Sequence, residues 1–207
     1  MARITKGIAG SMSGKVGPVI ASSWKGIQYL KSAHKPRTKK ISAKEKANRQ
    51  KFKAAHEWLA PLRDFVRRGF KGYSPTVEGF LAAKSYLLKN AMNADGTVDP
   101  ARMKVSYGSL PLPENIAVSL TDDYQLKFTW DTKPDKGASY ADQVMLLANH
   151  RDKAFPLYTI NGEFREAGSA ILNPYLHKGD SCDVYLAFVS EDRSRQSDSV
   201  YLGEFKL

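Results

Sequence analysis

Apolar positions along the chain change spacing twice, and each change marks a different kind of element. In residues 16–30, Val16, Val19 and Ile20, then Ile27, Tyr29 and Leu30, form short β-prone clusters punctuated by Gly14, Gly17 and Gly26. This spacing predicts short extended segments, with Ser22 to Gly26 either turning between them or continuing one of them. A ribbon of that size is marginal by itself and needs a surface to pack on. AKEKANRQKFKAAHEWLA, residues 43–60, has no Gly or Pro. Phe52, Ala55, Trp58 and Leu59 recur there at helical spacing, and Leu62, Phe65, Val66 and Phe70 extend the stripe. Pro61 must kink this helix or start another, and Gly69 and Gly72 end it. A second helix is expected from Pro75 or Thr76 to about Met92, with Val77, Phe80, Leu81, Tyr86, Leu87 and Leu88 as its apolar positions. From Val105 the runs shorten again. The segment 103–120, YQLKFTW, ADQVMLLANH, FPLYTI, GSAILN, SCDVYLAFVSE and SVYLGEFKL read as seven strands separated by polar turns. Leu126, Phe128 and Trp130, and Val184, Leu186 and Phe188, alternate with period two and are expected to face one core.

These patterns predict an α+β chain in three parts. Residues 1–34 are a Gly-rich basic arm or β-ribbon. Residues 35–104 are a basic linker and a helical hairpin. Residues 105–207 are a β-sandwich.

Charge sharpens the division. The chain carries a net charge of +11. Residues 1–72 hold 18 Lys or Arg against three acids, a net +15, and the remainder is −4. A basic part followed by a mildly acidic one attracts polyanions, or an acidic surface on another copy. The composition, 42% hydrophobic and 26% charged, is that of a globular protein. No apolar run long enough for a membrane helix occurs, and no secretory signal is read at the N-terminus. Cytoplasmic synthesis without export is therefore expected, which is compatible with a place in a released particle.

Candidate chemistry is sparse. GSMSGKVGPVIASSWKG, residues 10–26, partly fits a phosphate-binding loop. Val16 stands where a Mg²⁺-holding hydroxyl is needed, and Gly17-Pro18 opposes the helix such a loop must enter. Asp122-Asp123 and Glu191-Asp192 are adjacent acids whose side chains diverge, and they read as exposed loop acids. Cys182 reads as a buried strand cysteine. Ser22 and Ser23 lack a nucleophile frame. His34, His56, His150 and His177 show no metal-ligand spacing. No catalytic, metal or cofactor-binding residues are assigned, and no cofactor is expected.

Two resemblances follow from quoted segments. LPENIAVSL, YQLKFTWD with Trp130, and LHKGDSCDVYLAFVS with Leu176 and Gly179 resemble the first, second and sixth strands of a fibronectin type III domain. Cys182 stands where that family has the tyrosine of its tyrosine corner. The resemblance implies an immunoglobulin-like sandwich, a fold used widely for binding and spacing. The opening MARITKGIAGSMSGKVGPVIASSWKG, Tyr29 to Ser32, Asn48 to Phe52 and KVSYGSLPLPE resemble an uncharacterised family of small proteins common in Bacteroidota. That resemblance implies no activity. The basic helix is also similar to one in small phage-associated proteins.

The leading expectation is a non-enzymatic structural or interaction protein that forms a homo-oligomer or docks on a structural partner through its arm. Val19, Ile20, Trp24, Ile27 and Tyr29 are the expected interface residues. The alternative partner is nucleic acid, held by Lys35, Arg37, Lys39, Lys40, Lys44, Lys46, Arg49, Lys51 and Lys53 through phosphate contacts. The plainer reading of that run is a solvated helix face with Phe52 and Trp58 in the core. Membrane insertion is not expected.

Overall fold

The β-prone clusters near the N-terminus form hairpins because their turns carry the right residues. In the computed structural model, which describes residues 2–3, 13–24, 26–36, 38, 40–150, 155–175, 177 and 179–206, strands β1 (Ala2–Arg3), β2 (Gly14–Val16), β3 (Val19–Trp24) and β4 (Ile27–Ser32) make one antiparallel sheet in the order β1-β4-β3-β2. Val16 pairs with Val19, so Gly17 and Pro18 alone make the first turn. Gly17 has φ +56°. Gly first is the order of a II′ hairpin turn, whose twist matches the strands. Ser22 to Trp24 continue β3, and Gly26 at φ +78° helps make the next turn. The chain divides into two compact units, Met1–Ala43, which holds this sheet, and Lys44–Leu207.

The second unit begins with helices. Helix α1 (Ala43–Leu59) ends just before Pro61, and α2 (Arg63–Gly69) starts after it. Helix α3 (Gly79–Tyr86) continues as a π-helical turn over Leu87–Ala91. Of the two outcomes open at Pro61, a kink or a new helix, the second holds, so α1 and α2 are separate helices ahead of α3. Seven strands follow: β5 (Ala117–Leu120), β6 (Leu126–Thr129), β7 (Gln143–His150), β8 (Leu157–Thr159), β9 (Ser169–Leu172), β10 (Ser181–Val189) and β11 (Val200–Lys206). They make two antiparallel sheets, in the orders β11-β10-β7-β8 and β5-β6-β9. The protein is thus a mixed α+β fold.

One apolar cluster joins Leu126, Phe128 and Trp130 to Val144, Leu146, Val184, Leu186 and Phe188, and lies between the sheets. The alternating positions read from the sequence all belong to it. The residues between them are buried as well. Met145, Leu147, Tyr185, Ala187 and Val189 join Leu59, Phe65, Phe70 and Leu87 of the helical layer. Strands β7 and β10 are therefore covered on both faces, which is why they read as continuous apolar runs. The apolar cluster crosses the boundary expected at residue 104, and the helices and seven strands fall in one compact unit. Burying a side chain as large as Phe65 or Phe70 contributes about 1.5–3 kcal/mol, so this shared layer is a main source of stability.

Three apolar positions depart from the expected stripes. Val77 is exposed and lies before α3, which starts at Gly79 and not at Pro75 or Thr76. Phe52 is 47% exposed, since burial along α1 begins only at Ala55. Its ring instead carries the Lys84 ammonium at 5.4 Å. Leu81 is 67% exposed because α3 turns Gly79, Ala82 and Ala83 inward. Those small residues let the helix approach closely: a Cβ on Gly79 would lie 3.4 Å from Arg67 Cα.

Candidate interaction surfaces

In the N-terminal sheet, antiparallel partners share a face and successive residues alternate. Ile20 pairs with Lys31, Ser22 with Tyr29 and Trp24 with Ile27. Ile20, Trp24, Ile27 and Tyr29 therefore line one face, with Lys15, the partner of Ile20 on β2, and Lys31 at its margin. Val19 pairs with Ser32 and lies on the opposite face beside Ala21 and Leu30. The register thus brings together four of the five expected interface residues and sets Val19 apart. Trp24 is 55% exposed and Ile27 39%, while Ile20 and Tyr29 are half-buried. Two aromatic and two β-branched side chains on one small sheet face, rimmed by lysines, have the composition of a docking patch.

The basic run is divided. Arg37 and Lys39 lie outside the described residues. Lys35 and Lys40 are exposed in the extended segment before α1. Lys44, Lys46, Arg49 and Lys53 are exposed on α1, and Lys51 is half-buried. Arg49 is paired with Glu45 at 2.7 Å, and Lys53 lies 3.7 Å from Glu57. Such i,i+4 pairs are weak, yet they place an acid beside two of the expected phosphate contacts. Trp58 is half-buried against the helical core.

Among the residues weighed for chemistry, Asp122 and Asp123 sit exposed in the turn joining β5 to β6. Glu191 is exposed. Asp192 Oδ1 accepts from Ser190 Oγ at 2.6 Å, Ser194 N–H at 2.9 Å and Ser194 Oγ at 2.7 Å. The Ser190 hydroxyl first, then Ser194, hold this carboxyl well below the usual carboxylate range, and the acid organises its own loop. Cys182 is fully buried on β10 between His150 and Phe205, and burial pushes its thiol up to about 12. A thiol held protonated in this way is chemically quiet. No group of three or more His, Cys, Asp or Glu suited to a metal ion occurs among the described residues. No described helix is long and apolar enough to cross a membrane.

Sequence reading missed a buried ion pair. Arg165 has a side chain 0% exposed and lies 3.3 Å from Asp142, 2% exposed. Its Nη2 donates to Pro111 O at 2.7 Å, and its guanidinium lies 4.6 Å from the centre of the Phe188 ring. Trp130 Nε1–H donates to Arg165 O at 2.8 Å, and the Trp130 ring meets Phe188 edge-on at 5.4 Å. Arg165 falls in a 3₁₀ turn after β8, a position whose burial leaves no periodic trace.

KVSYGSLPLPE is the other feature whose role emerges only in three dimensions. Tyr107 N–H donates to Gly69 O, Ser199 N–H to Ser106 O, Gly108 N–H to Asp198 Oδ1 and Leu110 N–H to Gln196 O. The segment therefore stitches the end of α2 to the loop between β10 and β11. A side chain at Gly108 has no room, since a Cβ would lie 2.0 Å from Gln196 O.

A family profile described as "Family of unknown function (DUF6266)" matches residues 11–203, and the chain belongs to that family. No curated protein matches. A solved structure described as "Myokine structure" is 18% identical, covering 47% of this chain and 97% of that chain, with a TM-score of 0.35.

Proposed function

We propose that the protein is a non-enzymatic interaction subunit that assembles with a second copy, or docks on a structural partner, through its N-terminal sheet. The observation that carries this reading is the common face of Ile20, Trp24, Ile27 and Tyr29. The exposed edge strand Gly14–Val16 supports it further, because a short edge is able to accept a partner strand. The seven strands of the second unit read as a fibronectin type III-like sandwich. That finer reading is supported by the sheet orders β5-β6-β9 and β11-β10-β7-β8 and by Trp130 in the core between the sheets. The helical layer on β7 and β10 is then an addition to that sandwich.

Light scattering coupled to gel filtration tests the proposal. Assembly through an apolar face predicts species larger than one chain that persist in high salt. Replacing Ile20→Ser and Trp24→Ser returns them to single chains with unchanged circular dichroism. A wild-type protein that stays a single chain, with no partner shifting it, overturns the reading. A single chain that carries nucleic acid at low salt and sheds it at high salt makes Lys35 to Lys53 the working surface instead.

A further inference from the structure

The second unit contains a cleft of about 430 Å³, within the size range of ligand sites and lined by residues of that unit. The turn after α2 (Lys71 to Tyr73), the junction segment (Tyr107 to Ser109) and the β10–β11 loop (Ser194 to Asp198) supply its walls. Hydrogen bonds between distant parts of the chain hold these walls in place. Gln196 Nε2 donates to Lys71 O at 2.7 Å and to Tyr107 O at 2.9 Å, and the Gln196 side chain is itself buried. Asp198 pairs with Lys104 and accepts from Gly108 N–H, so its charge is already answered.

The cations of the cleft are answered differently. Lys71 Nζ donates to Arg193 O at 2.9 Å, and Arg195 Nη2 donates to Gly137 O at 2.7 Å. Both acceptors are neutral carbonyls, which hold the side chains without cancelling their charge. Arg68 and Arg193 stand close behind: burial first, and then the charge of Arg193, lower the Arg68 pKa. Asp192 is the acid of this corner: Ser190 and Ser194 hold it, and its charge also acts on Arg195 and Arg68. One acid thus stands against Lys71, Arg195, Arg68 and Arg193, and the corner stays net positive. Beside the cations, Tyr107 is 41% exposed and meets Tyr73 edge-on at 5.2 Å. Ser109, also exposed, adds a hydroxyl.

The geometry points to this cleft as a docking site for an acidic peptide segment of a partner protein. Two carboxylates meet Lys71 and Arg195, and an intervening apolar side chain lies on Tyr107 and Tyr73. Charge complementarity selects the acid, while the paired tyrosines give an apolar body more surface than a bare anion uses. The walls are tied together before any ligand arrives, so little ordering is required on binding.

The test uses the full chain and two capped peptides, one alternating Glu and Leu, the other Gln and Leu, followed by amide NMR shifts. The Glu peptide is expected to shift Gly108, Ser109 and Gln196, and the Gln peptide to leave them in place. Lys71→Gln and Arg195→Gln each weaken binding about two- to fivefold, the range of partly exposed ion pairs. Lys71→Arg and Arg195→Lys retain binding, which separates lost charge from lost folding. Equal binding of both peptides, no binding at millimolar peptide, or unchanged affinity in the Gln variants overturns the proposal. So does glutarate binding as tightly as the Glu peptide, or a short oligonucleotide shifting the same amides. Ile20→Ser with Trp24→Ser leaves peptide affinity unchanged, so failure of the cleft is distinguishable from failure of the N-terminal face.

Discussion

Asp142 and Arg165 provide a double-mutant cycle whose outcome follows from burial. Asp142→Asn removes the carboxylate 3.3 Å from a guanidinium that has no exposure. An uncompensated buried charge costs about 3–5 kcal/mol. Arg165→Met leaves Asp142 without its cation, although Ser139 N–H still donates to Asp142 Oδ2 at 2.8 Å. It also removes the donor to Pro111 O and the cation over Phe188. Its cost falls in the same range. The double variant buries no charge. What remains lost is one hydrogen bond, about 1 kcal/mol, and the cation–π contact, about 1 kcal/mol. The expected costs are therefore about 4, 4 and 2 kcal/mol, giving a coupling of about 6 kcal/mol between the sites. Domains of ordinary stability hold about 5–15 kcal/mol, so the single variants remain partly measurable. Urea unfolding followed by far-ultraviolet circular dichroism reads the second unit, which contains all the helices among the described residues. If the double variant costs the sum of the singles to within about 0.5 kcal/mol, the two charges do not depend on each other. The buried pair would then be wrongly drawn.

Other consequences are open to direct measurement. Cys182 should resist a thiol reagent at pH 8 in the native protein and react promptly in urea, because burial holds it protonated. Prompt native reaction refutes its burial. The same shift sets a pH dependence: the folded pKa, about 12, lies above the unfolded value of 9.0. The contribution is thus intact below pH 9 and declines as pH rises from 9 towards 12, an effect that Cys182→Ala abolishes. Gly108→Ala should cost about 2–3 kcal/mol, since the clash at 2.0 Å is with a backbone oxygen. Gly137→Ala, at φ +95° with its nearest neighbour 3.9 Å away, should cost about 1–2 kcal/mol from backbone strain alone. A reversal of that order in urea melts contradicts the close approach. Tyr185→Phe removes the hydroxyl donated to Pro100 O at 2.8 Å and should cost about 1 kcal/mol in the same assay.

Much of the second unit was legible because its physics is periodic. Each strand run contains a strand, although in the first, 103–120, only Ala117–Leu120 is one, and Leu126, Phe128 and Trp130 face inward as their spacing required. What periodicity carried less well was the number of layers. The apolar run at Gln143–His150 shows a strand covered twice, but it does not name the cover, which proved to be the helices. Phe52 misled because an apolar stripe does not say where along a helix the core ends. Of the candidate interface, Trp24, Ile27, Ile20 and Tyr29 share a face only through the β3–β4 register, in which Trp24 pairs with Ile27 across the turn that Gly26 helps make, while strand alternation places Val19 opposite. Arg165 and the walls of the cleft depend on contacts between segments far apart in the chain. No local pattern carries such contacts.

The double covering of β10 also imposes a timetable on synthesis. Within the second unit the helices leave the ribosome before the strands, so the apolar side of α2, α3 and the π-helical turn is finished at Ala91. Tyr185, which closes over that layer and donates to the Pro100 carbonyl, follows 85 residues after Pro100. At about 5–20 residues per second the wait is roughly 4–17 s. For that interval the nascent chain displays a greasy, half-built layer, and a chaperone that shields it has a defined window in which to act.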